Sequence, residues 1–235
     1  MNLSVSKIRI YKTCPLRYFY QYIQKVKVNK KDFNPLYLKI GQYAHKFIES
    51  KIKNKELVFN SETLTEDMKR NIENNANFAI EFAKKFENYK IVSEMPFSIY
   101  FDEERIIDKI KRDANFNGYI DFVAINGKHA FVYDWKTGKK PKDIDYEQII
   151  LYGFAVLKKF NVESVTLGYV YIDEKEVVEK SFNKNELFVE FRNLKSEFDN
   201  IKLLINSGIF KANVGKHCEY CPYGINGNNI CEGIK

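Results

Sequence analysis

Residues 117–136 constrain the fold of this chain more than any other stretch. Asn117-Gly118-Tyr119-Ile120-Asp121-Phe122-Val123-Ala124-Ile125 reads as one strand and Ala130-Phe131-Val132-Tyr133-Asp134-Trp135-Lys136 as its return, with Asn126-Gly127 marking a tight hairpin turn. A two-stranded hairpin is not stable alone, so these residues demand a larger sheet. They also carry charge into it. Alternation along a strand puts Asp134 and Lys136 on one face with Trp135 opposite, and Asp121 on the adjoining strand is within reach of that face. Two carboxylates and an ammonium on otherwise apolar strands are costly unless something binds them. A hard divalent cation such as Mg²⁺ suits such oxygen ligands, with water and phosphate completing its shell. A cation so held can lower the pKa of a bound water and polarise a phosphodiester, while the lysine orients the water or stabilises the charged transition state.

The rest of the chain supplies the layers around this hairpin. Residues 6–26 read as helical, with Ser6 as a cap and Pro15 interrupting or restarting the helix. Residues 36–53 form an amphipathic helix carrying His45, and residues 66–89 a longer one with Phe78, Phe82 and Phe86 at four-residue spacing. Strands follow at 91–101 and 104–112, before the hairpin. After it, 144–160 reads as a helix, 164–172 and 176–182 as strands, and 184–206 as a helix. The tail from 207 is rich in Gly, Asn and Cys and has little periodicity, so it needs another means of being ordered. The sum is one α/β domain over residues 1–235: a central mixed β-sheet flanked by helices, with a stapled tail. In the aromatic run from Tyr18 to Tyr22, Phe19 and the following Ile23 read as core, and the tyrosines stay open between core and base stacking.

Composition narrows the functional classes. Of the 235 residues 45% are hydrophobic and 15% aromatic, which excludes intrinsic disorder. No apolar run approaches the roughly 20 residues that cross a bilayer, and the first residues lack a signal-peptide core. A cytoplasmic protein with no membrane partner is expected. The net charge of +7 favours an anionic partner such as nucleic acid. Only six of the 38 basic residues are Arg, and such Lys and Asn richness also reflects an AT-rich coding sequence, so charge supports the reading weakly.

Here the residues resemble a family. Ile120-Asp121, then Asp134-Trp135-Lys136, resembles the core of the PD-(D/E)XK nuclease superfamily, with Ile where the name has Pro. The order Gly41-x-x-x-His45, Gly118-x-x-Asp121, Asp134-x-Lys136-Thr137-Gly138 and Tyr146-x-Gln148-x-x-x-Tyr152 looks like its RecB/AddB-type branch, close to the CRISPR-associated iron–sulfur RecB-like exonucleases. The resemblance implies a restriction-endonuclease-like core. It implies Mg²⁺ or Mn²⁺ held by His45, Asp121, Asp134 and the backbone carbonyl of Trp135, with Lys136 as catalytic lysine. Gln148 and Tyr152, one helical turn apart, would touch the substrate or order Lys136. A lone histidine like His45 otherwise reads as a satisfied core residue, and Tyr152 as ordinary packing. Lys139, Lys140 and Lys142, and Arg17 near the start, are read as contacts to DNA, the three lysines equally as a solvated loop.

Four cysteines complete the pattern. Cys218-x-x-Cys221 and Cys231 lie near one end and Cys14 near the other, a grouping that reads as a metal site in a cytosolic chain. By the resemblance they hold a [4Fe–4S] cluster that joins residues 1–26 to residues 207–235. The nine residues between Cys221 and Cys231 are more than the branch usually has, and Zn²⁺, with His217 able to replace a thiolate, is the alternative. Such a site would close a loop of about 200 residues and act structurally. The function implied is a metal-dependent DNA nuclease, an exonuclease acting on single-stranded DNA, in recombination or repair, phage DNA processing or alongside CRISPR adaptation proteins. No GxxxxGK[ST] loop of a helicase motor is present. A non-catalytic iron–sulfur or zinc module that binds nucleic acid, or serves a larger complex, is the alternative.

Overall fold

The computed structural model describes residues 5–28, 35–60 and 63–231. Six strands form one sheet in the order β2-β1-β3-β4-β5-β6. They are β1 (Lys90–Tyr100), β2 (Arg105–Ile107), β3 (Phe116–Asn126), β4 (His129–Lys136), β5 (Ser164–Tyr171) and β6 (Glu176–Asn183). All neighbours are antiparallel except β4 and β5, which run parallel. A parallel pair needs a crossover, and helix α5 (Glu147–Phe160) is the one between them. The mixed sheet flanked by helices agrees with the expected α/β class.

The β3–β4 hairpin closes through Gly127 and Lys128, with Gly127 at φ 57°, a conformation glycine adopts at no steric cost. The stretch expected as helical over 6–26, interrupted at Pro15, is the short α1 (Val5–Thr13), α2 (Pro15–Tyr18) and a π-helical turn (Phe19–Ile23). The break falls at Cys14, which is extended because Pro15 disfavours the helical region for the residue before it. The π-turn then alters the periodicity. Tyr18 and Tyr20 are buried, Phe19 is half-buried against Phe210 and Ile23 is 41% exposed, so the expected core position of Ile23 does not hold. The expected second strand shrinks to three residues, and 108–115 form turns in which Ser98 is bridged to the backbone of Lys109 and Lys111.

By internal contacts the chain forms two compact units, Met1–Asn34 with Asn193–Lys235, and Pro35–Arg192. The second unit holds the sheet. Helices α3 (Pro35–Ile52) and α4 (Glu66–Lys84) share a core with Phe122, Tyr133, Trp135 and Val170. Helix α5, apolar nearly all round, is buried from Ile149 to Leu157 and packs on β4 and β5. Helix α6 (Lys184–Asn206) brings Phe191 to stack on Phe154 at a ring separation of 3.6 Å. The first unit has its own small core around Tyr20, Cys221 and Tyr223. No helix among the described residues is long and apolar enough to cross a membrane.

Candidate active site

The site begins where the β3–β4 ladder stops. Backbone pairing runs from Asn126↔His129 to Phe122↔Tyr133 and goes no further. At the next step the Asp121 carboxylate takes over, Oδ2 accepting a 2.8 Å hydrogen bond from the Trp135 N–H. On the other side of β3, the pairs Ser93↔Phe122 and Met95↔Ile120 flank Glu94 and Asp121, which are not themselves paired. Glu94 sits there at φ 53°, a left-handed conformation that costs an acidic residue about 1–3 kcal/mol within a strand. Strain of that kind persists only where surrounding structure imposes it, and it makes Glu94 a candidate member of the site.

Helix α3 supplies the third group. The His45 ring lies with Nδ1 3.3 Å from Asp121 Oδ1 and Nε2 2.9 Å from the Trp135 carbonyl oxygen. Both partners are acceptors, so the ring satisfies them by carrying a proton on each nitrogen. Burial opposes that charge, but Asp121, helped by Asp134 and Glu94, overrides it and pushes the His45 pKa up to about 9. The imidazolium therefore holds a cation against the oxygens that the sequence resemblance assigns to a metal. His45, Glu94 and Asp121 bring one ligand atom each within 4.8 Å of one another, the only such trio among the described residues. Burial, and then Asp121, raise the carboxyl pKa values of both Asp134 and Glu94. Crowded, partly desolvated carboxylates with an imidazole beside them fit Mg²⁺ or Mn²⁺, which takes oxygen ligands and relieves their mutual repulsion.

Beside this trio runs a hydrogen-bonded chain. Lys136 Nζ is 2.5 Å from Asp134 Oδ2 and donates to Gln148 Oε1 at 3.1 Å. The Gln148 amide in turn donates to Asp134 Oδ1 at 3.2 Å and to the Tyr152 hydroxyl at 2.6 Å. The Tyr152 hydroxyl is kept protonated by burial. Gln148 thus grips both ends of the Asp134–Lys136 pair and fixes where the ammonium sits.

The structure brings His45, Asp121, Asp134, the Trp135 carbonyl, Lys136, Gln148 and Tyr152 together. Lys140 is paired with Glu176, while Lys139 is exposed on the loop after β4. Arg17 belongs to the other unit, where it lines a cavity with Cys14, Cys218, Cys221 and Cys231 and a groove with Lys25 and Lys27. The four cysteines form no disulfide, and Cys14 and Cys221 are buried. Glu94 is the residue that strand patterning misses. Alternation alone places it on no particular site, and only its position across from Asp121 reveals its part.

A cleft of about 740 Å³ opens over the trio, lined by His45, Glu94 and Asp121 with Tyr37, Tyr119 and Thr137 among its other walls. No curated protein matches the sequence significantly. The fold resembles that of a protein of Eubacterium rectale provisionally named an exonuclease, at a TM-score of 0.56 and 13% identity over 94% of this chain and 87% of that one. The crystal structure of SSO0001 aligns over 99% of this chain and 86% of its own, at 16% identity and a TM-score of 0.41. A model of the PD-(D/E)XK nuclease superfamily matches residues 2–226, a span that contains the hairpin, the trio and the Lys136 chain alike. By that match, the chain belongs to the PD-(D/E)XK nuclease superfamily.

Proposed function

We propose that the protein is a metal-dependent DNA exonuclease acting on single strands. The observation that carries the nuclease reading is the His45 ring held between Asp121 and the Trp135 carbonyl, next to Glu94 and the Asp134–Lys136–Gln148 chain. His45, on giving up a proton to become the neutral imidazole, with Glu94, Asp121, Asp134 and the Trp135 carbonyl would hold Mg²⁺ or Mn²⁺. That ion supplies an acidified water and a polarised phosphodiester. Lys136 stabilises charge building on the phosphate, and Gln148, itself steadied by Tyr152, keeps the ammonium aimed. The single-strand and exonuclease parts rest on the RecB/AddB-like motif order, and the Eubacterium rectale fold relative carries an exonuclease name. The setting is DNA recombination or repair, phage DNA processing, or CRISPR adaptation with partner proteins.

The cysteines are proposed as ligands of a [4Fe–4S] cluster, with Zn²⁺ the alternative. Four thiols round one cavity suit either, and a cluster would tie Cys14 to a tail with little secondary structure of its own. Arg17, Lys25 and Lys27 share a groove in the same unit and are read there as phosphate contacts.

The test is cleavage of end-labelled linear and closed circular single-stranded DNA with Mg²⁺, Mn²⁺ or EDTA, comparing wild type with Lys136→Ala. Metal-dependent loss of the linear substrate alone, absent in the variant, is expected. Cutting of circles would remove the end requirement. Wild-type protein inert on both, with its cysteine site fully loaded, would leave a nucleic-acid-binding module as the better reading.

A further inference from the structure

The cleft over the trio carries two exposed aromatic rings that the catalytic reading leaves without a role. Tyr37, Gly41 and His45 recur at four-residue spacing along α3, which places them on one helical face, and all three line the cleft. Tyr119 lies on β3 two residues before Asp121, on the same face by strand alternation and about 6.7 Å along the strand. Tyr37 is 74% exposed and Tyr119 51%, whereas Tyr43, Tyr133 and Tyr152 of the same unit are buried. Leu38 and Val58, also exposed, widen the apolar wall. Gly41 keeps the floor between Tyr37 and His45 low: a Cβ there would already lie 3.5 Å from Thr137 Oγ1, so a longer side chain would fill the passage.

Exposed rings lining the cleft over a phosphate-cleaving centre, one two residues from Asp121 on β3 and one eight residues from His45 on α3, suit a flat, apolar ligand that is covalently part of the substrate. A nucleobase meets that description. Inside a duplex a base is paired and stacked on both faces, and at a blunt end only the outer face of the terminal pair is open; an unpaired base can turn out to offer its face to a ring, and stacking accepts any base. The cleft volume, about 740 Å³, falls in the range of small-ligand sites and leaves room for a nucleotide. We infer that Tyr119, with Tyr37 beyond it, stacks on the unpaired base next to the scissile phosphate, which makes this cleft the element that selects single-stranded ends. The inference rests on the nuclease reading and deepens it.

The test uses the full chain with Mn²⁺ and a fluorescein-labelled oligothymidylate, an otherwise identical strand with an abasic residue next to the cleaved end, and a blunt duplex. For Tyr119→Leu, KM on the intact strand is expected to rise about 5- to 150-fold, the equivalent of one lost base stack. Its kcat should stay within about twofold, as for a contact made equally in ground and transition states. Tyr119→Phe should retain the wild-type KM. Wild type should bind the abasic strand more weakly by a similar factor, and Tyr119→Leu should show a much smaller penalty for the missing base. The inference is overturned by a Tyr119→Leu enzyme with unchanged KM, by wild type indifferent to the abasic residue, or by equal KM for duplex and single strand. The wild-type comparison stands even if the leucine variant does not fold. Should wild type cleave nothing, the nuclease reading fails, and anisotropy of the same labelled strands, with and without the base, still decides the stacking.

Discussion

His45 and Glu94 show how single side chains are held in costly states by the site they build. His45 carries a folded-state pKa of about 9 against an ordinary 6.5, the sum of a burial penalty and a larger pull from Asp121. A raised pKa on a base means stabilisation that is complete below pH 6.5 and lost as pH rises through about 9. In EDTA the melting temperature of wild type should therefore fall across that window, and the fall should be absent in His45→Gln. A flat wild-type profile would show that the imidazolium contributes nothing. Glu94 has the opposite balance, since burial and then Asp121 disfavour its charge. Glu94→Gln should raise the melting temperature of the metal-free protein while weakening Mn²⁺ binding tenfold or more, on the order expected when a hard cation loses a carboxylate. Calorimetric titration with Mn²⁺ checks the second half; unchanged affinity would remove Glu94 from the ligand set.

Among the elements, the central strands leave little room for substitution. Gly168 on β5 lies where an added Cβ would come within 2.7 Å of the Tyr133 ring and 2.8 Å of the Val178 carbonyl oxygen. The backbone oxygen cannot rotate away. Gly168→Ala should cost about 1–3 kcal/mol by chemical denaturation, the usual range for an overfilled core. A near-neutral result would mean that β6 shifts at no cost. Tyr133 is fixed on its other side by a 2.7 Å hydrogen bond to Glu179 and by an edge contact with Phe82 of α4, so it has few ways to yield. This packing matters to the site, because Tyr133 immediately precedes Asp134 and closes the ladder at Phe122.

For the whole molecule, the question is what orders the two termini. Cys14, Cys218, Cys221 and Cys231 line one cavity within the unit formed by both ends of the chain. If they hold a cluster, anaerobically purified protein should contain about four irons per chain. Cys14→Ser should then lower iron content and melting temperature together, because the link spans a loop of about 200 residues. Stoichiometric zinc without iron would replace the cluster by a tetrahedral site, and a Cys14→Ser protein with full metal and stability would exclude Cys14 as a ligand.

Much of this was legible residue by residue. The hairpin, with Asp121 on one strand and Asp134-Trp135-Lys136 on the other, follows from alternation and an Asn-Gly turn, which act over a few residues. The facing of Gln148 and Tyr152 follows from helical spacing in the same way. Other features depend on partners far along the chain. Glu94 joins the site only because β1 pairs with β3 in the register that sets it across from Asp121, and the pull of that crowded site is not written in its neighbours. Lys140 looks like a free cation in sequence but is paired with Glu176, 36 residues on, at the start of β6. His45 reads locally as an ordinary amphipathic-helix residue. Its charge and its two oxygen partners arise only when α3 is laid against the end of the broken β3–β4 ladder, where backbone groups that a continued sheet would have satisfied are left for side chains to meet.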